Sequence, residues 1–450
     1  MLSKKKTILF AGAAAILAAV TAVTAVSAAV GTNVLELHGS TTLGPVVQAA
    51  ATPFNASAPS GVTIDIAGIV QNSSGAGISD LDASPQLADI AMSSRALNSG
   101  NETNLNTPTN ACVDAVVMMV NNTNTPASIT YLTKQMIRGI YDGVYRLAAA
   151  GGDGTNEYWD AGSVTVSSAG LPGDDSTNYD MNEYFPALPG HGVTGAHVQI
   201  VVEARNLNSG TRAFLGDSVV HGGCAFATEG TKANDPVYAT FPYANFYPLE
   251  EAFLGTTDAN RMANATAMST AINNNALGAT IGYAGVGYDT GANIRDLKVE
   301  DDLNLSSGSW SVAPYNPVPS DPTQYAPTNI NVYSNHYHLS RYLYLVTKNG
   351  DANHANDMVF VNWFETLDSP GQDAAVAGHE LRLVPDEDIN NDGVVSIYDL
   401  VVMGNNWGAT DPAISGTTHL RSDINRDGTV SIYDLVDLGN WWGVQIQALP

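Results

Sequence analysis

Short apolar runs alternate with helical periodicities from about residue 32 to 300, and turns rich in Gly, Ser and Asn separate them. Val34 to Leu37 predicts a strand that ends in a polar turn, and Pro45 to Phe54 predicts the helix after it. Val62 to Ile69 predicts a second strand, followed by a Ser/Gly turn and another short helix. Ala88 to Met92, Ala115 to Val120 and His197 to Val202 predict further strands. Strand, polar turn and helix in repetition predict a parallel α/β sheet with ligand groups at the carboxyl ends of the strands. Residues 151–196 break the rhythm with Gly, Asp, Ser and Asn around Tyr158, Trp159 and Tyr184, which predicts an exposed insertion. Residues 313–329 are Pro-rich and predict a loop. Tyr337 to Thr347 then predicts an apolar strand or helix start, and Met358 to Leu367 a helix.

The two ends of the chain have different patterns. Lys4-Lys5-Lys6, the uncharged run Ile8 to Val26 and the small residues Ser27-Ala28-Ala29 have the order of an export signal over residues 1–29. A run of about 20 apolar residues is also long enough to serve as an uncleaved anchor. Either way the chain is expected outside the cytoplasm, secreted or at the cell surface. At the other end, Asp388 to Val401 recurs as Asp423 to Val436 with an offset of 35 residues, which marks a separate repeated module.

Composition narrows the partners. The 450 residues carry 44 acidic and 18 basic side chains, a formal charge of −26. Loss of the three lysines with a signal would bring it near −29 (−26 − 3). A field of that sign argues against nucleic acids and anionic membranes as partners. Cys112 and Cys224 are the two cysteines. In an exported chain they are expected to form one disulfide, with two buried thiols as the alternative.

Each C-terminal repeat opens with D-x-N-x-D-G. Oxygen ligands at positions 1, 3 and 5 converge on a hard cation, Gly at 6 permits the sharp turn, and position 7 offers a carbonyl. Loop one offers Asp388, Asn390, Asp392, the carbonyl of Val394, Ser396 (directly or through water) and Asp399. Loop two offers Asp423, Asn425, Asp427, the carbonyl of Thr429, Ser431 and Asp434. Two calcium ions are therefore expected. Position 12 is Asp rather than the usual Glu, and Pro385 leaves no helix before loop one. Over 386–445 the module resembles a type I dockerin, a small α-helical unit whose two calcium loops each lead into a short helix. The resemblance implies a cohesin-bearing partner. In that family, partner choice is often read at loop positions 10 and 11. Both copies here carry Ile-Tyr there (Ile397-Tyr398 and Ile432-Tyr433), unlike the small polar pair common in cellulosomal dockerins. Leu400, Val401, Leu435 and Val436 give each helix an apolar face, for packing or for the partner.

The larger region carries several spaced polar turns. These are HGSTTLGP at 38–45, SSGAGI at 73–78, ADIAMSSRAL at 88–97 and Arg205-x-x-x-Ser209-Gly210-Thr211-Arg212. With IGYAGVGY at 281–288 and LSRYLYLVT at 339–347, they resemble the phosphate-binding proteins of ABC importers over about 32–385. That family has a two-lobed fold of the periplasmic-binding-protein kind, type II, closing on its ligand. The resemblance places lobe one at about 32–115 and 300–385, and lobe two at 116–299. It implies phosphate or a related oxyanion as ligand and an ABC permease as a partner. Carried over residue by residue, the binding set is Thr41, Thr42, Ser74, Ser94, Arg95, Arg205, Ser209, Gly210 and Thr211.

The physical chemistry agrees with that set. Helix N-termini present N–H groups and a positive dipole end to an anion, hydroxyls donate, and Arg205 is a forked permanent cation. Many members of the family have Asp where Ser94 stands, so discrimination between phosphate and sulfate is left open. Arg95 either adds charge to the site or forms a surface salt bridge. No HExxH, GxSxG, P-loop or paired-carboxylate pattern points to an enzyme. His336-x-His338 is read as structural, and Asn55-Ala-Ser, Asn121-Asn-Thr and Asn264-Ala-Thr are acceptors for glycosylation. Two classes remain: a solute receptor for import, or an envelope scaffold that uses the binding fold structurally.

Overall fold

One long strand organises the larger region. In the computed structural model, β5 (Thr109–Asn121) is buried on both faces from Ala111 to Asn121, so its apolar run is continuous rather than alternating. The structure describes residues 33–97, 101–125, 130–133, 200–221, 257–274, 279–289, 291–300, 326–366, 380–410 and 420–447, with single positions between them. The export-signal segment, the 151–196 insertion, most of the Pro-rich loop and Cys224 lie outside these residues.

The first half of β5 belongs to one sheet neighbourhood. It pairs antiparallel with β10 (Ser340–Thr347), which pairs antiparallel with β4 (Ile90–Ser93), which pairs parallel with β2 (Leu37–Gly39). The second half pairs antiparallel with β8 (Ala279–Gly285) on one side and β9 (Ile294–Glu300) on the other. Beyond these, β7 (Ile200–Val202) runs parallel to β8, and β6 (Tyr131–Thr133) parallel to β9. The pairing changes partners between Ala115, opposite Ser340, and Val116, opposite Gly285.

The sheet is mixed, which corrects the expectation of an all-parallel one. Local strand-turn-helix rhythm does predict parallel neighbours, and β2–β4 and β7–β8 are parallel. The long central strands β5 and β10 come from distant parts of the chain and set the antiparallel core. The expected strand over Val62–Ile69 shrinks to β3 (Thr63–Ile64), paired with β1 (Val34–Leu35).

Helices cover both faces. α1 (Leu43–Ser57) buries Leu43, Val46, Val47, Ala50, Ala51 and Phe54, a stripe at helical spacing. It packs with α6 (His354–Glu365) against Ile90, Met92, Leu343 and Leu345, where Phe54 meets Phe360 edge-on at 5.1 Å. On the opposite face lies α2 (Ser74–Asp82), through Ile78 and Leu81. Along β5, Val117 and Met119 face α4 (Ala265–Asn274), while Val116, Met118 and Val120 join the core with Leu132, Leu297 and Tyr337. Burying a side chain of this size is worth about 1.5–3 kcal/mol. Among the described residues, no helix is long and apolar enough to cross a membrane.

The C-terminal module is a duplicated pair. Loop one leads into α7 (Ile397–Asn405) and loop two into α8 (Ile432–Asn440). Each loop is braced by the end of the other repeat: Val395 exchanges backbone hydrogen bonds with Gly443 and Val444, and Val430 with Gly408 and Ala409. The module also packs on α5 (Asn329–Tyr333), with Tyr333 5.7 Å from Trp441 ring to ring.

Candidate functional site

Three helix N-termini converge where the two halves of the larger region meet. Strand β2 ends at Gly39, and the Ser40 hydroxyl caps α1 by accepting from the N–H groups of Thr42 (3.1 Å) and Leu43 (3.2 Å). Ser73 caps α2 by accepting from Ala76 N–H at 3.4 Å. After β7, Ser209 caps α3 (Gly210–His221) by accepting from Arg212 N–H at 3.4 Å. Thr41, Ser74 and Thr211, one or two residues after each cap, then present their side chains at the junction.

These turns touch across the junction. Thr42 Oγ1 lies 3.2 Å from Thr211 Oγ1, and Ser74 Oγ lies 3.0 Å from Ser94 Oγ. Gly75 N–H donates to the carbonyl of Asn208 at 3.3 Å. Gly210 packs so closely that a Cβ there would sit 2.3 Å from Ser74 Oγ and 2.4 Å from Ser94 Oγ, so only glycine fits.

Two buried arginines serve the junction in different ways. Arg341 stands opposite Asp114 in the β10–β5 ladder. Its Nε donates to Asp114 Oδ2 at 2.8 Å and its Nη2 is also bonded to that oxygen. The same guanidinium donates to the Ser94 carbonyl (2.8 Å) and to Thr211 Oγ1 (3.1 Å). It therefore links β4, β5, β10 and α3 with its charge neutralised. Arg205 is 1% exposed and donates from Nη2 to Thr41 Oγ1 at 2.7 Å. Its Nε and Nη1 have no hydrogen-bond partner among the described residues. Burial, and secondarily the nearby Arg341 charge, hold its pKa down at about 10, against some support from Tyr283 and Tyr288. It is still a cation at neutral pH, with no carboxylate bonded to it among the described residues.

Thr41, Thr42, Ser74, Ser94, Arg205, Ser209, Gly210 and Thr211 are thus brought together, and Arg95 is not. Arg95 is ion-paired with Glu102 at 2.6 and 3.0 Å and also donates to the Ala96 carbonyl, the salt-bridge alternative. Sequence reasoning does not single out Asp114, Arg341 or Glu380, which lie far apart in the chain. The visible signal was Asp114 itself, a lone charge in an apolar run. Glu380 is buried beside Asp114. Burial first, and then the charge of Asp114, push its carboxyl well above the ordinary range.

Of the expected Cys112–Cys224 pair, Cys224 lies outside the described residues. Cys112 is a free thiol, fully buried in β5 among apolar neighbours. Burial raises its pKa well above the usual value, which keeps it protonated and inert.

The C-terminal loops are preshaped for cations. In loop one the carboxylate of Asp388 accepts from the N–H groups of Asp392 and Gly393, and Asp392 accepts from Val394 N–H. In loop two Asp423 accepts from Gly428 N–H, and Asp427 from Thr429 N–H at 3.0 Å. Asn390 and Asn425 accept from the amides of Asp392 and Asp427, both at 2.9 Å. Gly393 and Gly428 take φ of 88° and 96°, which closes each turn. Ser396–Asp399 and Ser431–Asp434 form capping boxes on α7 and α8. Asp388, Asp399, Asp423 and Asp434 are buried, and buried acidic oxygen donors of this kind fit a hard cation. When bound, such an ion supplies charge neutralisation and a fixed loop geometry. Leu400 and Leu435 turn inward, whereas Ile397, Tyr398, Val401 and Trp407, with Ile432, Tyr433, Val436 and Trp442, are exposed.

A PBP superfamily domain matches residues 24–365, and a dockerin type I domain matches residues 386–440. Dockerin type I domains bind calcium and imply a cohesin partner. Three solved structures are similar to the chain. One is named a phosphate ABC transporter substrate-binding protein of Clostridium perfringens, with bound phosphate. It is 19% identical over 78% of this chain and 100% of that one, with TM-score 0.46. An ABC-type phosphate transport receptor from Vibrio cholerae is 18% identical over 77% and 99%, with TM-score 0.43. PstS from Borrelia burgdorferi is 17% identical over 78% and 98%, with TM-score 0.39. No curated protein matches the chain.

Proposed function

Because this chain belongs to the PBP superfamily and carries a dockerin type I domain, we propose that it is an extracytoplasmic oxyanion receptor held on a cohesin-bearing partner. The single observation behind the anion is Arg205. A buried guanidinium with two nitrogens unpartnered among the described residues, and no carboxylate bonded there, is costly to maintain. A tetrahedral oxyanion offers the negative oxygens that Nε and Nη1 lack. The hydroxyls of Thr41, Thr42, Ser74, Ser94, Ser209 and Thr211 supply further donors around it. Three helix N-termini add partial positive charge from both halves.

Phosphate is the ligand we propose first. Hydroxyls at Ser94 both donate and accept, so the hydroxyl of hydrogen phosphate finds an acceptor there. Arg341 and Asp114 are positioning residues: they hold Thr211 and the Ser94 backbone without offering free charge. The reading is of binding without catalysis. Delivery to an ABC permease is its transport form. The dockerin, with one calcium ion per loop, presents the exposed Ile-Tyr pairs (Tyr398 66% and Tyr433 67% exposed) to its cohesin. An aromatic-aliphatic pair of this size is the kind of anchor a protein interface desolvates.

Calorimetric titration of the stripped full chain with phosphate and then sulfate, at fixed calcium, tests the reading. Phosphate binding at micromolar or tighter affinity, with sulfate much weaker, is the expected result. No binding of either ion overturns the receptor reading in favour of a scaffold.

A further inference from the structure

A second charged cluster lies at the opposite end of β4 from the oxyanion junction. Asp89 precedes β4, and Asp351 and Asp357 come from the β10–α6 turn and the first turn of α6. One carboxylate oxygen from each lies within 4.8 Å of the others. From Asp89 to Ser94 the chain advances roughly 16 Å at about 3.3 Å per residue, so the cluster is separate from the anion-binding hydroxyls.

Its inner member is Asp357, which is fully buried. Neither of its oxygens has a hydrogen-bond partner among the described residues, although a carboxylate in the first turn of a helix ordinarily accepts a spare N–H. The other two carboxylates are held by outer donors. Asp89 accepts from Glu36 N–H at 2.8 Å and from Asn353 Nδ2 at 3.2 Å. Asp351 accepts from Asn353 N–H at 3.0 Å and from Gln86 Nε2 at 3.1 Å. Hydrogen bonds of this kind orient ligating carboxylates around a metal, and each bonded oxygen keeps a second lone pair.

We propose that Asp89, Asp351 and Asp357 bind a hard divalent cation of the calcium type, at a site outside the dockerin loops. The donor set is all oxygen, which suits calcium or magnesium and not a thiolate- or imidazole-seeking metal. Calcium–oxygen bonds of about 2.3–2.6 Å put ligand atoms at most about 5 Å apart, a span that the 4.8 Å cluster meets. A bound ion would clamp the entry of β4 to the start of α6, through residues 262 apart in sequence (351 − 89).

The test counts calcium equivalents bound by the full chain after chelator treatment, for wild type, Asp357→Asn and Asp351→Asn. The expected result is one equivalent fewer in each variant, with the circular dichroism change of α7 and α8 on adding calcium retained. Calcium should also raise the melting temperature of the larger region in the wild type and do so less in the variants. If Asp357→Asn does not fold, Asp351→Asn, at a half-buried turn position, decides the question. Unchanged stoichiometry in the folded variants overturns the site.

Discussion

The junction and the C-terminal loops hold charge in opposite ways. The junction gathers hydrogen-bond donors inside a strongly acidic protein, from segments spread between Thr41 and Thr211. The loops gather acceptors for a cation, each within twelve consecutive residues. The first depends on the whole tertiary structure to assemble. The second is written locally and depends on an ion to offset its own repulsion.

Removing calcium should separate the two most sharply. Chelation is expected to abolish the folded state of α7 and α8, a loss on the order of 5 kcal/mol, while phosphate affinity stays near the wild-type value. Circular dichroism and calorimetry on one sample would read both. Within the junction, Asp114→Ala leaves Arg341 buried and unpaired and is expected to cost about 3–5 kcal/mol in a denaturant titration. Arg205→Ala should weaken phosphate about 100-fold, since a hydrogen bond to a charged group is worth about 1.5–3 kcal/mol, and should barely move stability. Affinity that survives in that variant would sink the anion assignment.

The smallest effect is a pH slope. Glu380 has a folded pKa raised above its unfolded value, so the folded state keeps a proton that the unfolded chain releases. Stability contributed by that proton is complete below the unfolded carboxylate pKa, about 4, and declines as pH rises towards the folded value. Glu380→Gln should flatten that decline and leave the acid limit unchanged. Melting temperatures from pH 4 to 9 in the two proteins would show it.

What the sequence made legible follows the same division. The dockerin could be read almost whole, because its ligands, its turn glycines and its capping serines are neighbours in the chain. The helix-capping turns of the junction were legible for the same local reason. Arg341 was not, because its meaning comes from lying opposite Asp114 across a strand pair 227 residues apart. The mixed sheet was missed because local rhythm carries no information about which distant strand fills the centre. Arg95 could not be decided from its neighbours, since Glu102 lies seven residues on, beyond the turn.

Arg426 gives the joint between the two regions a mechanical character. It occupies the fourth position of the second calcium loop with φ of 56°, and from there it reaches Asp386 at 3.0 Å and also pairs with Asp373 of the larger region. Arg382 grips the same two carboxylates, at 2.6 and 3.2 Å. The loop shaped for a cation is therefore also a clutch. While it is shaped, torque on the dockerin passes through these pairs into the larger region and fixes which way the junction faces. A loop that lost its shape would release these ion pairs and leave the joint to a single chain crossing and the packing on α5.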